Sequence, residues 1–280
     1  MRTLVTGGSG YLGTHVRRFF GADDFSRRSN LDITSQFDAR KVADYDVVIH
    51  LAAFLNKDPA AADACFQINV QGTLNLIRSM EPGSVFIYAS TKDVYGNNGD
   101  EYAEVPETCP TDFRGQSALE WSKLIAERYV EYYAAQRSVR ACIFRMSAVY
   151  ARPTTGNENG FVTHYVESVK HGWPIRLPGA ADPIRDVLFV DDLSRACQSF
   201  IDSSRHFGLY NLGGGRGNAT SLRAIIDKVG KMIELEPKIV ADVNMPVPVP
   251  LNYVSDLSRI RHEIGWKPEV GIDEGIRYLL

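Results

Sequence analysis

Residues able to transfer a proton follow one of the apolar segments of the chain. Ser90, Thr91, Lys92 and Asp93 come directly after Val85–Ala89, a segment typical of a buried strand. Open α/β sheets bind their ligands outside the carboxyl ends of the strands. A lysine beside an aspartate at such a position can exchange protons with a bound molecule, although a solvated ion pair in a loop has the same sequence. Both interpretations stay open at this point.

A group of glycines near the N-terminus can hold a phosphate. Gly8, Gly10 and Gly13 fit the pattern G-x-G-x-x-G, and Gly7, Gly10 and Gly13 fit the related G-x-x-G-x-x-G. The group follows a predicted strand and opens a predicted helix, which is the context that a dinucleotide-binding turn requires. Without side chains the backbone can approach a pyrophosphate, and the helix N-terminus offers free N–H groups.

The elements that must position these residues alternate along the first 150 residues. The predicted strands are Arg2–Thr6, Val47–Leu51, Val85–Ala89 and Arg140–Phe144. The predicted helices between them are Tyr11–Phe20, Ala60–Met80 and Ser117–Gln136. Short apolar runs alternating with helical patterns predict an α/β fold with a parallel sheet.

Composition narrows the range of partners. The 280 residues carry a formal net charge of -3 and show no cluster of Lys and Arg, so we expect a small-molecule ligand and no nucleic acid. The cysteines form no C-x-x-C pair and the histidines show no ligand spacing, so no metal is predicted. No apolar run reaches the roughly 18 residues of a membrane span, and no export signal precedes the first strand. We therefore expect a cytoplasmic protein that does not bind membranes.

Ordered segments of the chain resemble the extended short-chain dehydrogenase/reductases, the NAD(P)-dependent nucleotide-sugar epimerase and dehydratase family. They are Thr6–Gly13, Leu31–Ile33, His50–Ala53, Ile68–Thr73 and Arg185–Asp192. The resemblance covers nearly the whole chain and implies a Rossmann doubly wound parallel sheet with a smaller C-terminal α/β substrate lobe. We predict a cofactor domain of residues 1–150 plus about 186–212, and a substrate lobe of residues 151–185 plus 213–280.

The resemblance implies a bound nicotinamide dinucleotide. In the family the aspartate of the segment similar to Leu31–Ile33 meets the adenine, and the segment similar to His50–Ala53 passes the adenosine side. The implied cofactor-binding residues are Gly7, Gly8, Gly10, Tyr11, Leu12, Gly13, Asp32, Ile33, Leu51, Ala52, Ala53 and Lys123.

The choice between NAD and NADP depends on the end of the second predicted strand. NAD-specific members carry an acidic residue there, about 20 residues after the glycines, to hold the ribose 2′-OH. This sequence has Ser26, Arg27 and Arg28 at that place. Arg27 can pair with a 2′-phosphate, which slightly favours NADP. Two solvated arginines close to Asp23 and Asp24 would give the same sequence.

The family's catalytic pattern, Tyr-x-x-x-Lys, matches residues 119–123 with one departure. Lys123 is present and would hold the nicotinamide ribose, but Leu119 stands where the tyrosine is expected, and a leucine cannot move a proton. In epimerases a Ser or Thr at the position of Thr91 binds the reacting hydroxyl. In 4,6-dehydratases the positions of Lys92 and Asp93 hold the acid and base, and some dehydratases without the tyrosine rely on such a pair.

The substrate lobe matches the family in outline. The run at residues 145–153 resembles R-x-x-N-V-Y-G-P, but Ala148 replaces the asparagine that often contacts the sugar nucleotide. Arg152, Arg185 and Arg216 are candidates for binding a diphosphate, because a guanidinium pairs bidentately with phosphate. Any one of them is more often an ordinary surface arginine.

The leading hypothesis is epimerisation or dehydration of a sugar nucleotide at an active site that lacks the tyrosine. Two alternatives stay open: a catalytically silent NAD(P)-binding sensor or scaffold, and an NADP-dependent reductase of a small carbonyl compound. The resemblance also implies a homodimer that packs the predicted helices Ala60–Met80 and Ser117–Gln136 against their copies.

Overall fold

The computed structural model of the protein describes residues 1–154, 160–179 and 181–280. The strands in chain order are β1 Thr3–Thr6, β2 Asp23–Phe25, β3 Val47–His50, β4 Val85–Thr91, β5 Arg140–Met146, β6 Val149–Tyr150, β7 Ile175–Pro178, β8 Ile184–Asp186, β9 Leu188–Phe189, β10 Phe207–Leu212, β11 Ala219–Ser221 and β12 Ile239–Asp242. The α-helices are α1 Tyr11–Phe20, α2 Gln36–Ala39, α3 Ala62–Cys65, α4 Gly72–Ser79, α5 Ala118–Arg137, α6 Phe161–His171, α7 Val190–Asp202, α8 Leu222–Ile233, α9 Ser258–Ile264 and α10 Ile272–Arg277.

The predicted Rossmann fold class is confirmed. Over the described residues, a six-stranded parallel sheet has the order β10-β5-β4-β3-β1-β2. The chain passes from β1 to β2 on one side and then returns to β3 on the other side of β1. This reversal of strand order opens a crevice at the carboxyl ends of β1 and β3, where doubly wound sheets bind ligands.

Both faces of the sheet are buried, as the near-continuous apolar composition of its strands requires. One face packs Val5, Ile49 and Phe144 against α1 and α7. The other packs Leu4 and Val48 against α4 and α5. Successive residues of a strand point to opposite faces, so each strand contributes to both layers.

The predicted strand ends differ from the structure by one or two residues. Arg2 precedes β1, and β3 ends at His50. β4 extends beyond the predicted end at Ala89 because Ser90 and Thr91 still pair with β5. Thr91 is therefore the last residue of the strand. The run of reactive residues Ser90–Asp93, the reactive run, thus begins inside the sheet.

The predicted helix Ala60–Met80 is one helical run made of turns of different kinds. A 3-10 turn at Pro59–Ala61 leads into α3, a π-helical turn covers Phe66–Gln71, and α4 completes the run. The π turn contains Asn69, whose side chain bonds to neighbouring elements instead of facing solvent. Such turns often occur at functional sites.

After β5 the chain builds a second layer and then returns to the sheet. Helix α6 packs on α8 in this layer. Small ladders pair β6 with β9, β7 with β12 and β8 with β11. The segment 186–212 carries α7 and β10 back to the Rossmann sheet. Residues 155–159 and 180 of the predicted lobe lie outside the described residues.

Candidate active site

A cavity of about 800 Å³ runs along the carboxyl ends of β1, β3, β4 and β5. The structure brings most of the predicted site residues to its wall: Gly7, Gly10, Tyr11, Leu12, Gly13, Arg27, Asp32, Ile33, Leu51, Ala52, Ala53, Thr91, Asp93 and Lys123. Five predicted residues, all within the described part of the chain, lie outside this wall: Gly8, Lys92, Arg152, Arg185 and Arg216. The cavity thus joins the glycine turn at one end to the reactive run of β4 at the other.

The glycine turn fits a pyrophosphate. Gly7 has a φ of 69°, and a Cβ there would lie 2.9 Å from the backbone of Ala52. A Cβ at Gly13 would lie 2.0 Å from the Gly7 carbonyl oxygen, which also accepts a hydrogen bond from the Gly10 amide at 2.9 Å. Side chains at Gly7 and Gly13 would clash with this backbone, so glycines are needed for the turn to fold this tightly before α1, whose first N–H groups have no partner within the helix. The residues present therefore suit the diphosphate of a dinucleotide.

Gly8 does not line the cavity. A Cβ there would lie 2.6 Å from Asp24 Oδ1 and 3.3 Å from the side chain of Arg17. The residue is small because α1 and β2 pack closely together. Its place in the glycine pattern therefore reflects packing within the protein.

Polar groups surround the other side of the glycine turn, after β2. Ser26 donates to Asp24 Oδ2 at 2.7 Å and accepts from Ser9 Oγ at 2.9 Å. Arg27 is largely exposed, and its Nε lies 3.2 Å from Asp32 Oδ2. Ser26 and Arg27 both line the cavity, whereas the nearby carboxylate of Asp24 is engaged by Ser26.

Asp32 is fixed by its own turn. Its Oδ1 accepts hydrogen bonds from the amide and hydroxyl of Thr34 at 2.9 and 2.8 Å. These bonds, with the charge of Arg27, lower the pKa of Asp32 below its ordinary value. An ionised Asp32 therefore gives the cavity wall a negative charge beside the apolar side chain of Ile33.

Lys123 is a buried residue of the cavity wall. Its Nζ donates to the Ala89 carbonyl oxygen at 2.7 Å and lies 5.0 Å from the centre of the Tyr88 ring. Burial lowers the pKa of Lys123 to about 8, against the opposing effect of Glu127. Leu119, one helical turn earlier, forms an apolar part of the cavity wall.

The reactive run of β4 divides between two environments. Thr91 Oγ1 caps the following 3-10 helix by accepting from the Asp93 amide at 3.1 Å, and Asp93 faces the cavity. Lys92 turns away from it: the side chain is buried, pairs with Asp93 and lies over the ring of Tyr253 at 5.3 Å. Direct contact of Lys92 with a ligand in the cavity is therefore not supported.

Lys57 is the charged residue that sequence reasoning missed. Its Nζ lies 2.7 Å from Glu120 Oε1 and 3.2 Å from Asp93 Oδ2, and it lines the cavity. In the sequence it is a lysine in the loop after β3, and no local pattern marks it. Its partners, Asp93 after β4 and Glu120 in the first turn of α5, come together only through the fold.

Asn69 holds this loop in place. Its Oδ1 accepts from the Phe54 amide at 2.7 Å, while Nδ2 donates to the Phe54 carbonyl oxygen at 3.1 Å and to Ser122 Oγ at 2.9 Å. The π turn thus connects the loop after β3 to α5. Lys57 follows three residues after Phe54, so its position depends on this connection.

The three predicted diphosphate arginines have other partners. Arg185 is buried and donates to the carbonyl oxygens of Leu251 at 2.8 Å and Pro250 at 2.9 Å. Arg216 pairs with Glu104, and Arg152 lies over the ring of Tyr278 at 4.8 Å. The structure therefore does not bring these arginines together around the cavity.

Two kinds of feature are absent from the described residues. Among them, none of the helices combines the length and the apolar character needed to cross a bilayer. Nor does this part of the chain bring three or more His, Cys, Asp or Glu side chains together in an arrangement that could hold a metal ion.

Known proteins share both the sequence pattern and the fold. The family model described as "NAD dependent epimerase/dehydratase family" matches residues 3–213. The CDP-paratose 2-epimerase of Salmonella typhi is 27% identical over 333 aligned residues, covering 99% of the chain and 97% of the relative. The dTDP-glucose 4,6-dehydratase of Mycobacterium tuberculosis is 28% identical over 310, covering 99% and 91%. The structure of UDP-glucose 4-epimerase from Thermus thermophilus with NAD matches with a TM-score of 0.80 at 25% identity, covering 100% and 97%.

Proposed function

The chain belongs to the NAD dependent epimerase/dehydratase family, and from this premise we propose that it epimerises or dehydrates the sugar of a nucleotide-diphosphate sugar. The observation that carries the proposal is the single cavity that joins the glycine turn to Thr91, Asp93 and Lys123. A dinucleotide seated on the turn would reach the floor where these polar groups meet. The relatives named above as an epimerase and a dehydratase support this class of reaction.

A bound nicotinamide cofactor supplies the chemistry of removing a hydride from a sugar carbon and returning it. In the proposed site Gly7, Gly10 and Gly13 bind the pyrophosphate, and Lys123 binds the nicotinamide ribose. Lys123 uses one donor on Ala89, which leaves two of the three ammonium N–H groups for the ribose hydroxyls. Asp32 and Ile33 border the adenine.

We propose NADP in preference to NAD. Ser26 and Arg27 line the cavity after β2, where an acidic residue would otherwise hold a ribose 2′-OH. The Arg27 side chain pairs with Asp32 at the rim and is 72% exposed, so its guanidinium can turn toward a 2′-phosphate. Asp24 lies nearby, but its carboxylate is hydrogen-bonded to Ser26.

We also propose an active site that works without the usual tyrosine. Thr91 would bind the reacting hydroxyl, and Asp93 would act as a fixed negative charge beside it. Lys92 would support Asp93 from outside the cavity, because it is buried against Tyr253. The two other hypotheses, a silent sensor and a small-carbonyl reductase, are not favoured by the relatives.

The remaining proposals concern organisation. Residues 1–150 plus 186–212 would hold the cofactor, and residues 151–185 plus 213–280 would hold the sugar nucleotide. A homodimer would pack α5 and the helical run before β4 against their copies, since Phe66, Tyr129 and Tyr132 leave aromatic surface exposed there. A cytoplasmic location accords with four buried cysteines.

The first experiment identifies the ligands directly. The protein is purified and denatured, any released dinucleotide is identified, and the stripped protein is titrated with NAD and NADP. A panel of sugar nucleotides is then supplied and the products are followed by mass. Tight cofactor binding with conversion of a sugar nucleotide supports the proposal, and binding without any conversion contradicts it.

A further inference from the structure

The wall of the cavity has lost a proton donor at the start of α5. Leu119 lines the cavity where the resembled family carries a phenol. A proton that leaves or reaches a bound sugar must therefore use another side chain. At this end of the cavity, the ionisable groups among the described wall residues are Lys57, Asp93 and Lys123.

Asp93 is poorly suited to move the proton by itself. One carboxylate oxygen pairs with Lys92 and the other with Lys57. Burial raises its pKa, but the charges of Lys92 and Lys57 outweigh that effect and hold the pKa at about 2. Such a carboxylate stays ionised near neutral pH and is a weak base.

Lys123 already has a hydrogen-bond partner and a proposed role in cofactor binding. It is buried, and its Nζ donates to the Ala89 carbonyl oxygen at 2.7 Å. It lines the cavity, where the proposed function assigns it to the nicotinamide ribose. This leaves Lys57 as the remaining cation among the described wall residues beside Leu119.

Two carboxylates on different elements hold the ammonium group of Lys57 in position. Asp93 follows β4 and Glu120 is in the first turn of α5, directly after Leu119. An ammonium group has three N–H donors. Lys57 donates one to Asp93, and Glu120 lies at ion-pair distance. A donor is therefore left for a ligand in the cavity that Lys57 lines.

We propose that Lys57 is a catalytic residue, whose ammonium group binds the reacting oxygen of the sugar and transfers its proton. The inference rests on the proposed function and supplies the proton-transfer group that the missing tyrosine leaves open. Glu120 acts as a positioning residue, because it contacts Lys57 and is itself fixed by hydrogen bonds from the amide and hydroxyl of Ser117.

The charges around Lys57 keep it protonated, so it carries a proton that a strongly basic oxygen can take. Burial lowers the pKa of Lys57, but Asp93 and Glu120 outweigh it, and the pKa is raised above its ordinary value. When a sugar ketone receives a hydride with its electron pair at carbon, the carbonyl oxygen becomes an alkoxide. Lys57 gives that oxygen one proton, so an N–H bond breaks and an O–H bond forms. Water returns a proton to the amine, whose side chain is 57% exposed. Oxidation of the alcohol, the reverse step, needs Lys57 as the neutral amine, which the raised pKa makes scarce at neutral pH, so this step should quicken as the pH rises.

The first test measures contact without catalysis. Reductive methylation with formaldehyde and cyanoborohydride, followed by peptide mass spectrometry, reports the accessibility of each amine. UDP-glucose and dTDP-glucose are added separately to protein stripped of cofactor. At about ten times the dissociation constant of a bound sugar nucleotide, we expect methylation of Lys57 to slow about tenfold. Lys41, exposed and located before β3, should be modified at an unchanged rate. Binding with unchanged methylation of Lys57 would overturn the inference.

The second test separates charge from proton transfer. Lys57→Met should lower kcat by about 100-fold or more, because general acid–base catalysis contributes that much. Lys57→Arg keeps the charge but not a transferable proton, so it should restore sugar binding while recovering little of kcat. Lys41→Met is the matched control and should behave as the unmodified chain. Circular dichroism confirms that each variant is folded.

The outcomes distinguish the two proposals. If the unmodified chain converts sugar nucleotides and Lys57→Met retains its kcat within about threefold, only the inference about Lys57 fails, since a lost acid–base group costs far more. If the unmodified chain binds and converts no sugar nucleotide of the panel, the proposed function fails and the inference fails with it.

Discussion

Lys123 illustrates how one buried side chain can trade stability for function. The residue is 4% exposed, and its ammonium group has the Ala89 carbonyl oxygen and the face of the Tyr88 ring as neighbours. These contacts compensate only part of the lost hydration, which is why the pKa falls to about 8. The charge persists at neutral pH at an energetic cost to the folded state.

Replacing Lys123 should therefore stabilise the protein while impairing cofactor binding. Lys123→Met should raise the free energy of unfolding at pH 7 by about 1 to 3 kcal/mol, because a buried charge is removed. The unfolded chain binds more protons than the folded chain between pH 8 and the ordinary lysine pKa of 10.5, so the unmodified protein gains stability over that range. The advantage of the variant should shrink correspondingly. Urea unfolding at several pH values measures it, and a constant advantage up to about pH 10 would contradict the explanation.

At the scale of elements, a buried ion pair fastens α5 to the sheet. Arg145 of β5 donates to both oxygens of Glu127, at 2.7 Å to Oε2 and 3.1 Å to Oε1, and Ser90 of β4 donates to Oε1 at 2.5 Å. The same helix carries Leu119, Glu120 and Lys123. The pair therefore holds α5, and the three residues that it carries, in a fixed position against β4 and β5.

Breaking this pair should be costly, and removing both charges less so. Arg145→Met should destabilise the fold by about 3 to 5 kcal/mol, because it leaves Glu127 buried without its partner. The double variant Glu127→Gln with Arg145→Met should recover part of that loss, since no charge is then left unpaired. Thermal and urea unfolding of the single and double variants gives the coupling. A double variant as unstable as the sum of the single ones would contradict it.

The π turn of Asn69 gives a second prediction at this scale. Asn69→Ala removes the bonds to Phe54 and Ser122, so the loop after β3 loses its connection to α5. We expect about 1 to 3 kcal/mol of destabilisation and faster amide hydrogen exchange in residues 52–58. Asn75→Ala, also in this helical run but bonded to the carbonyl oxygens of Ile33 and Thr34, serves as the comparison. Equal exchange in both variants would contradict the role of Asn69.

The sequence predicts the strands and helices of this fold better than it predicts the residues of the candidate site. Local patterns in the sequence mark strands β1 and β4 and the glycine turn. The parallel Rossmann sheet follows from the alternation of such strands with helices. Lys57 could not be found in this way, because its carboxylate partners Asp93 and Glu120 are distant in sequence and lie on other elements. The surroundings of Arg185 could not be predicted for a related reason: its carbonyl partners in residues 250–251 meet it only after folding.

At the scale of the whole molecule, the two predicted domains share a core. One continuous apolar cluster includes Val5 and Phe144 of the sheet, Val162 of α6, Ile225 of α8 and Ile276 of α10. The division into cofactor and substrate segments therefore concerns function more than folding. A polar connection accompanies this core, because Tyr11 of the glycine turn reaches across to the later part of the chain.

That connection can be tested on its own. The Tyr11 hydroxyl accepts from the Ala151 amide at 2.7 Å and lies 2.7 Å from Thr163 Oγ1. Tyr11→Phe should cost about 1 to 2 kcal/mol, because a buried amide loses its acceptor. We expect the KM for the sugar nucleotide to rise more than the dissociation constant of the cofactor. Tyr45→Phe, whose hydroxyl bonds Asp23 at the protein surface, is the matched control. Equal effects on both ligands would contradict the prediction.

The charged cluster around Lys57 also determines how the molecule attracts ligands from a distance. Lys57 and Lys92 carry two positive charges, Asp93 and Glu120 two negative ones, and they lie within contact of each other. Their fields cancel beyond a few ångströms, whereas the N-terminus of α1 presents an uncompensated positive potential to the solvent. A dinucleotide is thus drawn to the glycine turn by its pyrophosphate before its nicotinamide end reaches the cluster. Added salt should therefore slow capture through the phosphate end, because exposed charges are screened beyond about 10 Å.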